Sequence, residues 1–300
     1  MRRGTICYTI AMRRLCALAL LFAVPSLFAT APRKTVWREL VTPHFHAYYE
    51  ANWAPAGLGV ELEKIHGRMR MDISMFAPWM STGTVKIYIH ASQASFMAGE
   101  FAPPPWSRGL AYSDKKTIVI YDDGVRDRLR SVITHELAHL FFESFFKEAD
   151  AVPPVWLNEG LAVYMEDRAD SDKGPWSTAL KGTAPARMKP LKTHCAGGPK
   201  EDAPAQQVSD WYLESFALVK FLFTPATRLQ FKNLSVALRN GVPLEQTLWN
   251  VYRYRSLSAF EEAWRKWLFA PEGNAQSASG PVPSAPQFSP IQFKPFSMKN

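Results

Sequence analysis

The segment that most restricts how this 300-residue chain can fold is SVITHELAHLFF, residues 131–142. Its apolar residues predict a stretch of buried helix, and the helical pattern extends over 125–147. His135, Glu136 and His139 are nevertheless ionisable. A buried ionisable side chain needs partners, because removing its charge from water is costly. The rest of the chain must therefore explain three such side chains in one apolar helix.

The N-terminal half of the chain alternates strand and helix patterns. Val85, Ile87 and Ile89 alternate with polar residues, which is typical of a half-buried strand. Apolar residues three or four apart predict amphipathic helices elsewhere. The predicted elements are a strand at 44–50, a helix at 57–75, a strand at 84–90, a short helix at 92–100 and a hairpin at 110–122.

The C-terminal half shows helical patterns only. Residues 169–207 are polar, rich in Gly and Pro, and without a clear period. Such a length is unusual for a structureless loop, so we expect this segment to pack over the domain. Because the strands are confined to the first half, the predicted fold class is α+β, with a small mixed sheet packed on the 125–147 helix and a mostly helical C-terminal half. The other predicted helices span 155–168, 208–224, 225–239, 243–250 and 256–268.

Both ends of the chain differ in composition from the middle. Arg13 and Arg14 precede an apolar run at 15–24, and small residues follow at 29–31. This pattern predicts a signal peptide at 1–31 and export to the periplasm or the medium. An uncleaved membrane anchor is the alternative, although the apolar run is short for a span. Residues 32–270 then form one domain, with a sheet-containing part (36–124) and a helical part (125–270). Residues 271–300, rich in Pro, Ser, Gly and Gln, are predicted to be a disordered tail.

Charge and cysteine content exclude some classes of function. The formal net charge is +8, but four arginines lie in the predicted signal, so 31 basic residues face 27 acidic ones in the remainder. No block of like charges and no basic stripe with aromatic residues is present, which argues against a nucleic-acid partner. Only Cys195 remains outside the predicted signal, so the domain has no internal disulfide.

The spacing of the two histidines predicts a metal site. Residues four apart lie on one face of a helix, so His135 and His139 can present two imidazole nitrogens to one ion. Glu136 is rotated by about 100° from His135 and is better placed to hold a water molecule than to bind the same ion. The alternative is a pair of histidines at the edge of the core with a surface glutamate.

A catalytic zinc ion needs a third protein ligand and an open position. Glu159 lies early in the next predicted helix, within PPVWLNEGLAVYME at 153–166. The short connection at 148–154 allows this helix to run back beside the first one, which would return Glu159 to the level of His135 and His139. These three residues would form a His₂Glu site for one Zn²⁺. The alternative is a first-turn glutamate that the helix dipole favours.

HELAH followed by WLNEGLAVYME closely resembles the gluzincin metallopeptidases, in particular the peptidase-MA-like branch related to the M1 aminopeptidases. The resemblance is strong over 131–166 and weaker over about 84–223. It implies a zincin-like fold, His135, His139 and Glu159 as zinc ligands, and Glu136 as general base. Nineteen residues separate His139 from Glu159, one more than is usual in M1 enzymes, which suggests a relative of that family.

The same resemblance implies further functional residues. WYLESFALV at 211–219 is similar to the M1 pattern whose tyrosine stabilises the oxyanion, and it assigns that role to Tyr212, with Tyr252 and Tyr254 as weaker substitutes. The hairpin before the HELAH helix corresponds to the strand that binds extended substrate by backbone pairing, which assigns Ala111, Tyr112 and Ser113 to substrate binding. The G-x-M-E-N motif of M1 aminopeptidases is absent, so an exopeptidase loses its main support.

Zinc-dependent hydrolysis of a peptide or protein substrate is therefore the expected function, with no membrane partner beyond the exported signal. The competing hypothesis is an exported binding or scaffold protein that keeps zinc for stability alone. Glu136 favours the enzyme, because a structural zinc site does not need it. A membrane-tethered form of the enzyme is a third possibility. The other histidines have no ligand-spaced partner: His44 and His46 are expected as a surface pair, and His194 beside Cys195 is not expected to bind metal.

Overall fold

A computed structural model describes residues 36–53, 56–103, 107–169, 174–200, 202–223 and 227–269. The predicted signal peptide at 1–31 and the predicted tail at 271–300 lie outside these residues and stay predictions. Among the described helices, none is both long enough and apolar enough to cross a membrane.

Within the described part of the N-terminal half, five strands form one mixed sheet. They are β1 (Trp37–Val41), β2 (Phe45–Glu50), β3 (Val85–His90), β4 (Gly109–Tyr112) and β5 (Thr117–Tyr121). Their order across the sheet is β1-β2-β3-β5-β4. The central strands β2, β3 and β5 are parallel, while β1 pairs antiparallel with β2, and β4 with β5. The strands β1 and β4 are therefore the two edges of the sheet.

Helices dominate the rest of the described chain, which confirms the α+β prediction. The sheet-bearing half contains α1 (Leu58–Ile73) and the short α2 (Gln93–Met97). The helical half contains α3 (Arg126–Lys147), α4 (Val155–Ala169), α5 (Pro175–Lys181), α6 (Leu191–His194), α7 (Ala205–Leu222), α8 (Arg228–Arg239), α9 (Leu244–Tyr252) and α10 (Leu257–Leu268). The long predicted elements are confirmed with small shifts at their ends. The strand β1 and the helices α5 and α6 were missing from the prediction.

Helix α3 is the central element of the fold. Of its 22 residues, 14 are buried, since the helix packs against the sheet, α1 and α4. A helix covered on most sides is expected to be apolar around its circumference. Asp127 in its first turn and Lys147 in its last turn complement the helix dipole. The phenylalanines at its C-terminal end pack edge to face with Phe76, which anchors the helix in the core.

The polar segment at 169–207 is more ordered than its composition indicates. Its described part holds α5, α6 and a turn of 3₁₀ helix, and it packs against α7 as expected. His194 from this segment is fully buried: its Nδ1 lies 2.8 Å from Glu214 Oε2, and its Nε2 lies 3.0 Å from Ser215 Oγ. Buried polar contacts of this kind hold a segment in place, because a buried polar group that loses its partner is costly.

Candidate metal centre

The helices α3 and α4 run antiparallel, as the short connection between them predicted. Asn158 Nδ2 donates to Glu143 Oε1 at 2.9 Å near the connection. One turn closer to the N-terminus of α3, His139 Nε2 lies 3.5 Å from Glu159 Oε2. Later residues of α4 therefore lie beside earlier residues of α3, and Glu159 is at the same height as the two histidines.

The three predicted ligands meet at one point. His135 Nε2 and His139 Nε2 are 3.1 Å apart, and Glu159 Oε2 lies 3.6 Å from the first and 3.5 Å from the second. All three residues are buried, and Glu159 Oε2 has no hydrogen-bond partner among the described residues. Ligands about 2.05 Å from a tetrahedral zinc ion are about 3.3 Å from one another. The donor set and its spacing therefore fit one zinc ion.

Glu166 is a further ionisable residue at this centre. Its Oε2 lies 3.4 Å from His135 Nδ1, the ring nitrogen on the far side from Glu159. A carboxylate in this position orients a ligand imidazole and fixes its tautomer. The sequence analysis missed this residue, although Glu166 follows Glu159 by seven positions and two helical turns place both on one face.

Charges at the centre compensate one another. Burial alone would lower the pKa of His135, but the nearby carboxylates of Glu159 and Glu166 raise it to about 10. Burial would raise the pKa of Glu159, but the two histidines lower it to about 2. The charges of Glu159 and the two histidines therefore stabilise one another, and metal binding would release any proton that the imidazoles hold, since a ligand histidine is neutral.

Glu136 lies beside the cluster and points toward β4. It is fully buried, and neither of its carboxylate oxygens has a hydrogen-bond partner among the described residues. A Cβ built on Gly109 would lie 2.5 Å from Glu136 Oε1, so only glycine leaves room for this carboxylate. Burial raises the pKa of Glu136 to about 7, although His135 and His139 oppose the shift.

The predicted substrate-binding residues lie at the edge of the sheet. Ala111 and Tyr112 belong to β4, which among the described residues pairs only with β5. Ser113 begins the 3₁₀ turn that follows. The structure thus settles which strand of the hairpin is the edge. Since Gly109 of the same strand touches Glu136, the unpaired side of β4 begins next to the cluster.

Tyr212 lies on α7, which packs closely on α4. A Cβ on Gly160, next to Glu159, would lie 2.4 Å from the carbonyl oxygen of Ser215, so the two helices are in direct backbone contact. The Tyr212 ring is buried and lies near Trp176 and Trp211. Its role at the oxyanion stays a prediction. Tyr252, a weaker substitute, donates its hydroxyl to the Leu222 carbonyl.

His44 and His46, which were expected as a surface pair, are both partly exposed and face different carboxylates, Glu63 and Glu39. His44 precedes β2, stacks on the ring of His66, and lies 2.7 Å through its Nδ1 from Glu63 Oε2. His44, Glu63 and His66 form a second group whose ligand atoms lie within 4.8 Å of one another. No sequence signal predicted it, because His44 is nineteen residues from Glu63. Its two imidazole rings are nearly parallel, an orientation that directs their lone pairs side by side rather than toward one ion.

Comparison with known proteins agrees with this geometry. Residues 79–270 match the family model described as the Peptidase MA superfamily. The match covers 192 of the 300 residues and includes both helices that carry the cluster, as well as β4 and α7. No curated protein matches the chain.

Proposed function

Because the chain belongs to the peptidase MA superfamily, we propose that it is a zinc-dependent metallopeptidase that hydrolyses peptide bonds with Glu136 as general base. Membership of the family supports a peptidase that acts on peptides or proteins. The choice of zinc and the roles of individual residues form the proposal.

One observation carries the proposal. The donor atoms of His135, His139 and Glu159 form a triangle with edges of 3.1, 3.6 and 3.5 Å, and the Glu136 carboxylate lies beside it without a hydrogen-bond partner among the described residues. Two imidazoles and one carboxylate are a common ligand set for catalytic zinc, with one position left for water or substrate. A zinc site for stability alone would not require an unpaired buried carboxylate, which is costly to maintain.

The chemistry divides between the ion and the chain. Zinc in such a site supplies Lewis acidity, which activates water and polarises the carbonyl that is attacked. Glu136 accepts the proton of the attacking water as the new C–O bond forms. It then returns this proton to the nitrogen of the leaving amine as the C–N bond breaks, so the carboxylate ends each cycle unprotonated.

The edge strand and Tyr212 complete the proposed site. The free side of β4 from Ala111 to Ser113 offers backbone groups to an extended peptide, which would add as a further strand. This placement would bring the scissile bond next to Glu136, since Gly109 of the same strand touches that residue. The Tyr212 hydroxyl is proposed as a donor to the oxyanion of the tetrahedral intermediate.

Export is proposed with the activity. The apolar run at 15–24 after two arginines supports a cleaved signal peptide. Determining the N-terminal residue of the mature protein separates the exported form from a membrane-anchored one.

Glu136→Gln tests the mechanism. We expect the variant to bind one zinc ion per chain as the wild type does, and to lose at least about a hundredfold in kcat/KM on a mixed peptide library, the usual range for a general base. Glu262→Gln, at an exposed position on α10, is the matched control and should keep full activity. Equal activity in Glu136→Gln and wild type would contradict the assigned role, and zinc binding without any hydrolysis by the wild type would favour the scaffold hypothesis.

A further inference from the structure

A cleft of about 440 Å³ lies between α1, α3 and α4, outside the metal centre. Its charged lining consists of Lys64, Arg68, Arg130, Arg168, Glu61 and Asp72. We propose that this cleft binds a small organic phosphate, a phosphate monoester with an apolar body. The proposal does not depend on the peptidase activity, because none of the predicted zinc ligands and neither Glu136 nor Tyr212 lines the cleft.

The charge balance of the lining favours an anion. Four cations face two carboxylates, and both carboxylates are already engaged by arginines. Arg130 Nε lies 2.8 Å from Glu61 Oε1. Asp72 binds both Arg168 and Arg228, the second of which comes from α8. An excess of two positive charges within the lining matches the dianion of a phosphate monoester at neutral pH.

Lys64 and Arg68 are the groups best placed to receive the phosphate. They lie four residues apart on α1, so they project on one face of the helix. Both are exposed, and Lys64 has no ion-pair partner within the part of the chain that the structure describes. A lysine supplies a point charge and an arginine a planar fork of donors, and the two together suit the oxygens of a phosphate.

The apolar part of the lining favours an organic phosphate over the inorganic ion. Met71 is the exposed apolar residue of this lining, whereas Ile65, Met69 and Met165 are almost fully buried. Methionine side chains adapt to ligands of irregular shape. The volume lies in the range of pockets that take small molecules, which leaves room for an apolar body below the phosphate.

The ligand would contact both helices of the metal centre without reaching the metal site. Thr134 and Met165 line the cleft and are the chain neighbours of His135 and Glu166. Adjacent residues on a helix differ by about 100° in direction, so the cleft and the cluster occupy different faces of α3 and α4.

Equilibrium binding of phenyl phosphate to the full-length protein tests the proposal. Calorimetric titration should show one binding site, weaker binding of inorganic phosphate, and no binding of benzyl alcohol. Lys64→Gln and Arg68→Gln should each weaken phenyl phosphate binding about tenfold, as expected for the loss of a charge-assisted hydrogen bond. Arg70→Gln, on the same helix but outside the lining, is the matched control and should bind as the wild type does.

A second pair of titrations excludes binding to zinc. The affinity for phenyl phosphate should be the same in the zinc-loaded protein and after chelation, and it should persist in His139→Ala. The proposal is wrong if chelation abolishes binding, if Lys64→Gln and Arg68→Gln bind as tightly as Arg70→Gln, or if inorganic phosphate binds as tightly as the ester. Since these measurements use binding alone, the peptidase proposal can fail while this one holds, and the reverse is equally possible.

Discussion

Gly109 on the edge strand and Glu136 on the central helix are in direct contact. A Cβ on Gly109 would lie 2.5 Å from Glu136 Oε1 and 2.8 Å from its Cγ, well inside any normal contact distance. The strand proposed to bind substrate and the proposed base therefore share one surface. The backbone of Gly109 has no positive φ, so the glycine serves the approach of the carboxylate rather than a special turn.

The first prediction concerns Gly109→Ala. The new methyl group must displace the Glu136 carboxylate, which is the movable part of the contact, so the protein should fold and bind zinc normally. We expect kcat/KM on peptides to fall about a hundredfold or more, because general-base catalysis depends on the position of the base. Gly67→Ala, where a Cβ meets no atom within 4 Å, is the control and should keep full activity. Loss of zinc from Gly109→Ala would contradict the explanation.

The second prediction concerns Glu166→Gln. Because Glu166 Oε2 lies 3.4 Å from His135 Nδ1, the loss of its charge removes the support that orients this ligand. We expect zinc affinity to fall about ten- to a hundredfold, measured by competition with a coloured chelator. At saturating zinc most of the activity should return. Unchanged affinity, equal to that of the exposed control Glu262→Gln, would show that Glu166 does not orient His135.

The third prediction concerns the anchor of the segment that the sequence analysis left without structure. Glu214→Gln removes the charge that His194 faces at 2.8 Å. We expect the free energy of unfolding to fall by about 3 kcal/mol, the usual cost of breaking a buried pair, measured by urea denaturation. Asp210→Asn on the same helix breaks a more exposed pair with Arg187 and should cost less than about 1 kcal/mol. Equal losses would mean that burial does not strengthen the first pair.

The sequence predicted that His135, His139 and Glu159 would come together, because helical geometry converts spacing along the chain into position in space. His135 and His139 share a face of α3 because they are four residues apart. The short connection makes α4 run back along α3, which places Glu159 beside the two histidines. The distances between these three residues could therefore be anticipated. The long helices and strands were predicted for a similar reason, since their apolar residues repeat at the helical or strand spacing over several turns or several residue pairs.

The parts that escaped prediction depend on contacts between distant elements. β1 has the sequence WRELV and is largely exposed, so it shows no alternating apolar pattern. Its strand conformation depends on pairing with β2. α5 and α6 are too short to be stable by propensity alone and depend on packing against α7. Two close contacts, Gly109 with Glu136 and His44 with Glu63, join residues from different elements. Residue spacing within a single element cannot predict such contacts.

The last prediction concerns two buried histidines away from the metal centre. Burial lowers the pKa of His66 despite a hydrogen bond to the Met80 carbonyl. Burial also lowers the pKa of His90 despite its hydrogen bond with Glu50. Below about pH 6.5 these residues therefore take up protons in the unfolded chain before they do so in the folded protein. The unfolded state then binds more protons, and the free energy of unfolding falls as the pH falls.

His66→Gln isolates one of these two contributions. Without the ionisable ring, the variant should lose stability less steeply than the wild type between about pH 6.5 and pH 5.5, by at most about 1.4 kcal/mol per pH unit for one proton. Urea denaturation of both proteins in chelator removes the effect of metal release at low pH. Parallel pH profiles for the two proteins would show that His66 titrates alike in the folded and unfolded states, and a steeper profile for the variant would reverse the sign of the predicted shift.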